Sequence, residues 1–198
     1  MIKFKNNLLS IILIAIMMAI GIVSCSSDDN NKSYQENQQE YIKKMFEGMK
    51  GTYSGYLIMP DNSSAPVKFT IDNMANVNIA SFPMDRILYE VYGSEYLAVK
   101  MSSNAVSYSC PIDSVGFTGN YMSFVSKNDL STGTIKFSYT KDGEFFNGYA
   151  LVTVKGLYNS MQKIINVNFI VTDLTINQKD FTSEVCPINH NFEATKQD

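Results

Sequence analysis

The chain has no tryptophan, a single histidine (His190), three cysteines and five prolines among its 198 residues. Each scarcity excludes something. One histidine rules out a multi-histidine metal site and the paired-histidine motifs. A Ser-His-Asp arrangement would have to recruit His190 from a polar C-terminal stretch, where it reads as a surface side chain. No Gly-x-Ser-x-Gly elbow, phosphate-binding loop, dinucleotide fingerprint or EF-hand loop is present, so no cofactor is implied. Without tryptophan the largest platform for a sugar ring is missing, and the 12 tyrosines and 12 phenylalanines must supply any stacking. There is no basic run either, which argues against nucleic acid and against electrostatic docking on anionic lipid.

Long apolar runs are confined to the start of the chain. Lys3 and Lys5 precede an apolar stretch of 16 residues from Leu8 to Val23, interrupted by Ser10. A membrane span needs about 20 predominantly apolar residues, so this one reads as an export signal. It ends in Ile22-Val23-Ser24-Cys25, which resembles the bacterial lipoprotein signal. That resemblance implies removal of residues 1–24, acylation of Cys25 and lipid anchoring at the outer membrane of a bacterial envelope. Two or more acyl chains hold stably where one holds marginally. The next residues, Ser26-Ser27-Asp28-Asp29-Asn30-Asn31, offer nothing to bury and read as a flexible acidic tether over 25–32. Serine and acidic residues after the cysteine are also similar to the surface-export signal of Bacteroidota lipoproteins, so periplasmic and surface-exposed orientations both stay open.

Losing Lys3 and Lys5 leaves 14 basic against 19 acidic side chains, a mature net charge of about −5. Cys110 and Cys186 then remain as an even pair in a compartment that permits oxidation. A bridge between them would close a loop of 77 residues and contribute about 4 kcal/mol in the chain-entropy picture. The alternative is two buried free thiols.

The remaining chain predicts one domain over 33–176 followed by a polar segment, 177–198. Residues 33–49 read as an amphipathic helix: Ser33 and Glu36 form a capping box, Tyr34, Tyr41, Ile42, Met45, Phe46 and Met49 share a stripe, and Gly48 and Gly51 end it. From Gly51 the period becomes two. Thr52–Met59, Val67–Ile71 and Asn76–Ile79 read as a meander, and Pro83 starts a short helix carrying Met84, Ile87, Leu88 and Val91. Strand segments follow at 96–101, 105–109, 114–117, 121–126, 135–139, 145–154 and 164–176. Lys141-Asp142-Gly143 forms a hairpin turn. About 8–10 strands with almost no helix between them predict a mainly β, antiparallel domain, barrel-like or a sandwich.

Together with the lipobox, the sequences Gly51-Thr52-Tyr53-Ser54-Gly55 and Phe82-Pro83-Met84 make the chain similar to the uncharacterised Bacteroidota lipoproteins of the DUF4840 or calycin-like kind. The resemblance implies a calycin-like barrel and assigns no functional residue. Asp72, Asp85, Glu90, Glu95, Asp113, Glu144 and Asp173 are isolated in sequence, and only convergence of two of them in a cleft would support a hydrolase. The expected function is a noncatalytic binding or interaction module, held to the membrane by its anchor, for a small apolar ligand, a glycan or another envelope protein. The alternative is a structural or accessory subunit of a larger outer-membrane complex.

Overall fold

The structure, a computed structural model, describes residues 29–59, 62–102, 106–127 and 130–197. The signal segment and Cys25 lie outside the described residues.

Helix α1 (Asp29–Met49) begins earlier than the capping box at Ser33 suggests. Residues 29–32, read from the sequence as part of the tether, belong to this helix. Its buried face is the expected one: Ile42, Met45, Phe46 and Met49 are covered, while Tyr41 stays partly exposed. The strands are β1 (Gly51–Ile58), β2 (Ser64–Ile71), β3 (Asn76–Ile79), β4 (Lys100–Met101), β5 (Tyr108–Thr118), β6 (Tyr121–Ser126), β7 (Thr134–Lys141), β8 (Glu144–Asn159), β9 (Ile164–Ile176), β10 (Lys179–Asp180) and β11 (Ile188–Lys196). Helix α2 (Met84–Tyr92) and a 3-10 turn (Gly93–Ala98) interrupt them, and a short α3 (Thr182–Val185) precedes β11.

Eight of these strands close into an antiparallel barrel in the order β9-β11-β1-β2-β3-β5-β6-β8, with β8 pairing back onto β9. The sandwich alternative is thereby removed. Closure depends on the segment expected to be a polar tail. Strand β11 pairs with β9 from Ile188↔Val171 to Thr195↔Ile164 and with β1 from Tyr53↔Lys196 to Gly55↔Ala194. The domain thus runs to residue 196, and β11 alternates Ile188, His190, Phe192 and Ala194 inward with Asn189, Asn191, Glu193 and Thr195 outward. His190 is a core residue with no exposed surface, which corrects its reading as a surface side chain.

A column of rings fills the barrel axis. Tyr53 stacks on Phe69 with centroids 5.2 Å apart, Phe69 meets Phe169 edge-on at 5.9 Å, and Phe169 stacks on Phe192 at 5.7 Å. Phe82 continues the column, 6.0 Å from Phe169 and 5.3 Å from the His190 ring. Eight strands enclose a space just wide enough for such side chains, so the interior is a packed core.

Each mouth of the barrel is sealed by a helix. At one mouth the last carbonyls of α1, which have no partner within the helix, receive donors from three strands. Lys196 Nζ (2.6 Å) and the Tyr158 hydroxyl (3.0 Å) donate to Gly48 O, and the Tyr53 hydroxyl donates to Met49 O. Gly51, at φ 140°, holds a backbone conformation that other residues rarely adopt. At the other mouth Phe82 and the buried Met84, Ile87 and Leu88 of α2 cover the rings.

Strands β8 and β9 are too long for the barrel. Their pairing slips between Leu151 and Val152, and the hairpin leaves the wall there as a fin extended by β7, β4 and β10. Tyr139 of β7 stacks on Phe146 at 5.1 Å and shares a hydroxyl hydrogen bond with Tyr92 of α2. Two sequence expectations change in this region. Residues 96–101 form a 3-10 turn and a two-residue strand, and the separate strands at 105–109 and 114–117 are one β5 with a bulge at Asp113.

Candidate functional site

Strand β2 is paired along its whole length with β1, from Gly51↔Ile71 to Ile58↔Ser64, but meets β3 only at Thr70↔Asn78 and Ile71↔Val77. Beyond Thr70 the wall splits. The ladder phase says which groups face the gap. Met59 N–H donates to Ser63 O at 2.8 Å, and Asp72 N–H donates to Asn76 O at 3.0 Å. In an antiparallel ladder hydrogen-bonded pairs alternate, so odd residues of β2 direct their backbone to β1 and even ones to β3. Pro66 and Lys68 therefore turn their backbone to the gap with no strand opposite. Proline lacks the donor that a passing strand would need, and an edge lysine discourages strand addition.

The gap opens a groove of about 1100 Å³ on the outer wall. Its floor is the backbone of the wall at Val67, Phe69, Ile79 and Tyr108, whose side chains are buried in the barrel, and its flanks carry Ser54, Thr70, Asn78, Ser107, Ser109 and Thr195, with Lys68 and Glu193 as its charged side chains. Tyr56 stands on one flank with 66% of its surface exposed. The outward positions align across strands: Ser54 faces both Thr195 and Lys68, and Asn78 faces both Thr70 and Ser109.

One flank is held rigidly. The Ser109 hydroxyl donates to Asn78 Oδ1 at 2.6 Å, and Asn78 Nδ2 donates to Asp72 Oδ2 at 3.0 Å. Asp72 also accepts from the backbone N–H of Met74 and of Asn76 and from Asn76 Nδ2. Burial works against ionisation of this carboxyl, but the donors from Asn76, Asn78 and Met74 outweigh it and hold its pKa below the usual value. With both amide atoms of Asn78 engaged, the Asn78–Ser109 pair presents a fixed pattern of lone pairs to the groove.

The acidic residues singled out in the sequence do not converge. Asp72 serves this network, Glu90 pairs with Arg86 at 2.8 Å, Glu95 pairs with Lys141 at 3.1 Å, Asp113 sits at the β5 bulge, and Asp173 takes the Thr172 hydroxyl at 3.1 Å. Asp85 lies in the first turn of α2, and Glu144 is exposed at the start of β8. Among the described residues no group of three His, Cys, Asp or Glu side chains could hold a metal ion.

Cys110 and Cys186 are free thiols, so the bridge considered for them is not formed. Cys110 is inside the wall of β5 and donates to Lys127 O at 2.8 Å, whereas Cys186 precedes β11, four strands around the barrel from β5 in either direction. Burial, with the nearby charges of Asp173 and Asp180, pushes the Cys186 thiol up to about 11, which leaves it un-ionised and unreactive at neutral pH. His190 Nδ1 lies 3.2 Å from Phe169 O, and Nε2 falls short of a well-formed hydrogen bond. Burial lowers its pKa to about 4, against the opposing pull of the Phe169 and Pro83 backbone. A neutral imidazole sealed in the core is out of reach of any substrate.

The groove residues were not singled out by motif. Their signal was the polar half of the alternation, Ser54 and Tyr56 in β1 and Lys68 and Thr70 in β2. No helix among the described residues is long and apolar enough to cross a membrane. No family model, curated protein or solved structure matches the chain.

Proposed function

We propose that this protein is a noncatalytic binding module of a bacterial envelope, lipid-anchored at the outer membrane, whose outer-wall groove holds a glycan. The observation that carries this reading is the contrast between a filled barrel axis and an open, hydroxyl- and amide-lined groove. A small apolar ligand has no place among the stacked rings of Tyr53, Phe69, Phe169 and Phe192. The groove instead offers side chains that exchange hydrogen bonds with sugar hydroxyls and, in Tyr56, an exposed aromatic face. Pro66 and Lys68 on the split edge disfavour a strand partner, which weighs against an accessory subunit docked by edge pairing.

The test is affinity electrophoresis of the mature protein through gels cast with xylan, galactomannan, laminarin or dextran, with Tyr56→Ala in parallel. Retardation by at least one gel, lost or reduced at least tenfold in Tyr56→Ala, is the expected result. Equal mobility of both proteins in all four gels would overturn the reading.

A further inference from the structure

The groove does not end at β11. Its last side chains there are Glu193 and Thr195, and a second hollow, of about 470 Å³, starts at the same Glu193 and crosses β9 to β8. Asn191, Asn166, Asn168 and Lys155 line it. The pairings set these in register: Glu193 faces Asn166, and Asn168 faces Asn191 on one side and Lys155 on the other. Asn168 gives its Nδ2 to Asn189 Oδ1 at 2.9 Å, but its own Oδ1 is buried with no donor. At the opposite end of the same wall the edge backbone of Lys68 also lacks a strand partner. Polar side chains thus line one continuous band from the β2–β3 gap to β9, joined at Glu193.

We infer that one extended ligand runs across the strands from β3 to β9, over Glu193, and that it is a neutral polysaccharide gripped along its length rather than at a sugar terminus. This rests on the groove being a glycan site. Four strand steps separate β3 from β9, and at about 4.8 Å per step the band is about 19 Å long. No monosaccharide reaches both ends. Lys68 and Glu193 lie on the band among neutral amides and hydroxyls, with Lys155 on β8 just past its end, so there is no cluster of one sign to select an anionic polymer. Tyr56 provides a stacking face near the middle, and the asparagines provide paired donors and acceptors for successive hydroxyls.

Calorimetry with oligosaccharides of one to six units, cut from whichever of xylan, galactomannan, laminarin or dextran retards the protein, tests the inference. Affinity should climb until at least four units are present. Asn168→Ala and, separately, the fully outward Asn191→Ala should each weaken the six-unit ligand about tenfold and leave the two-unit ligand unchanged. A plateau at two units with no effect of either asparagine would overturn the extended site while leaving the groove reading intact. Absence of binding to every polysaccharide would overturn both.

Discussion

The two faces of strand β2 put opposite demands on neighbouring residues. Val67, Phe69 and Ile71 face inward, fully covered, where shape and volume decide the outcome; Pro66, Lys68 and Thr70 face outward, where shape is permissive and hydrogen-bonding pattern matters. The interior is organised around contacts between rings that leave no room for a guest. The exterior is organised around polar side chains with capacity to spare. On the glycan-groove reading, stability and binding are assigned to opposite faces of one sheet, and substitutions should separate them cleanly.

The sharpest separation is expected at Phe169, which has no exposed surface and touches Phe69, Phe82, Tyr108 and Phe192. Phe169→Ala should cost about 3–5 kcal/mol in urea denaturation, the range for a large aromatic removed from a packed core. The second effect is pH-dependent. Burial depresses the His190 pKa from its ordinary 6.5 to about 4 in the folded protein. The unfolded chain then binds the extra proton between those values, so stability is fully present above pH 6.5 and lost as pH falls toward 4. The loss is on the order of 3 kcal/mol. Urea midpoints at pH 7 and pH 4.5 should show it, and His190→Leu should remove this part of the slope; an unchanged slope would place the acid sensitivity elsewhere.

Gly55 tests the boundary between the faces. A Cβ there would stand 2.2 Å from the carbonyl oxygen of Glu193, so the β1–β11 seam must open for any other residue. Gly55→Ala should cost about 1–3 kcal/mol and, because Glu193 joins the two hollows, weaken binding as well. Tyr56→Ala should shift stability by no more than about 0.5 kcal/mol, as for an exposed site, and be seen only in the binding assay. A large stability loss at Tyr56 would break the separation of faces.

The antiparallel β class, the amphipathic face of α1 and the short α2 were legible because Val67–Ile71, Ile135–Tyr139 and the Ile42–Met49 stripe repeat at periods of two or 3.6. Strand β11 was not, although it alternates just as strictly. Two of its four inward residues are His190 and Ala194, and its outward ones are Asn, Asn, Glu and Thr, so alternation was present without hydrophobicity to announce it. Barrel over sandwich could not be read because closure depends on that strand. The groove escaped because it is made by what β2 lacks, a partner for Lys68, and a missing pairing leaves no mark on local sequence. Cys110 and Cys186 formed an even pair on paper; only the topology sets them on opposite walls.

The late position of β11 has a consequence for how the molecule is assembled. Tyr53 meets Lys196 across the closing seam, so the first strand must wait for nearly all of the chain before its outer edge is covered. Contacts this distant in sequence form slowly, because a long loop must be closed before they reward it. Until then β1 and β9 each present an open edge, and a chain cut before Ile188 would keep both edges permanently. Such a product should self-associate rather than persist as a slightly smaller monomer. The final nine-residue strand thus acts as a checkpoint: only a chain synthesised through β11 can close its barrel.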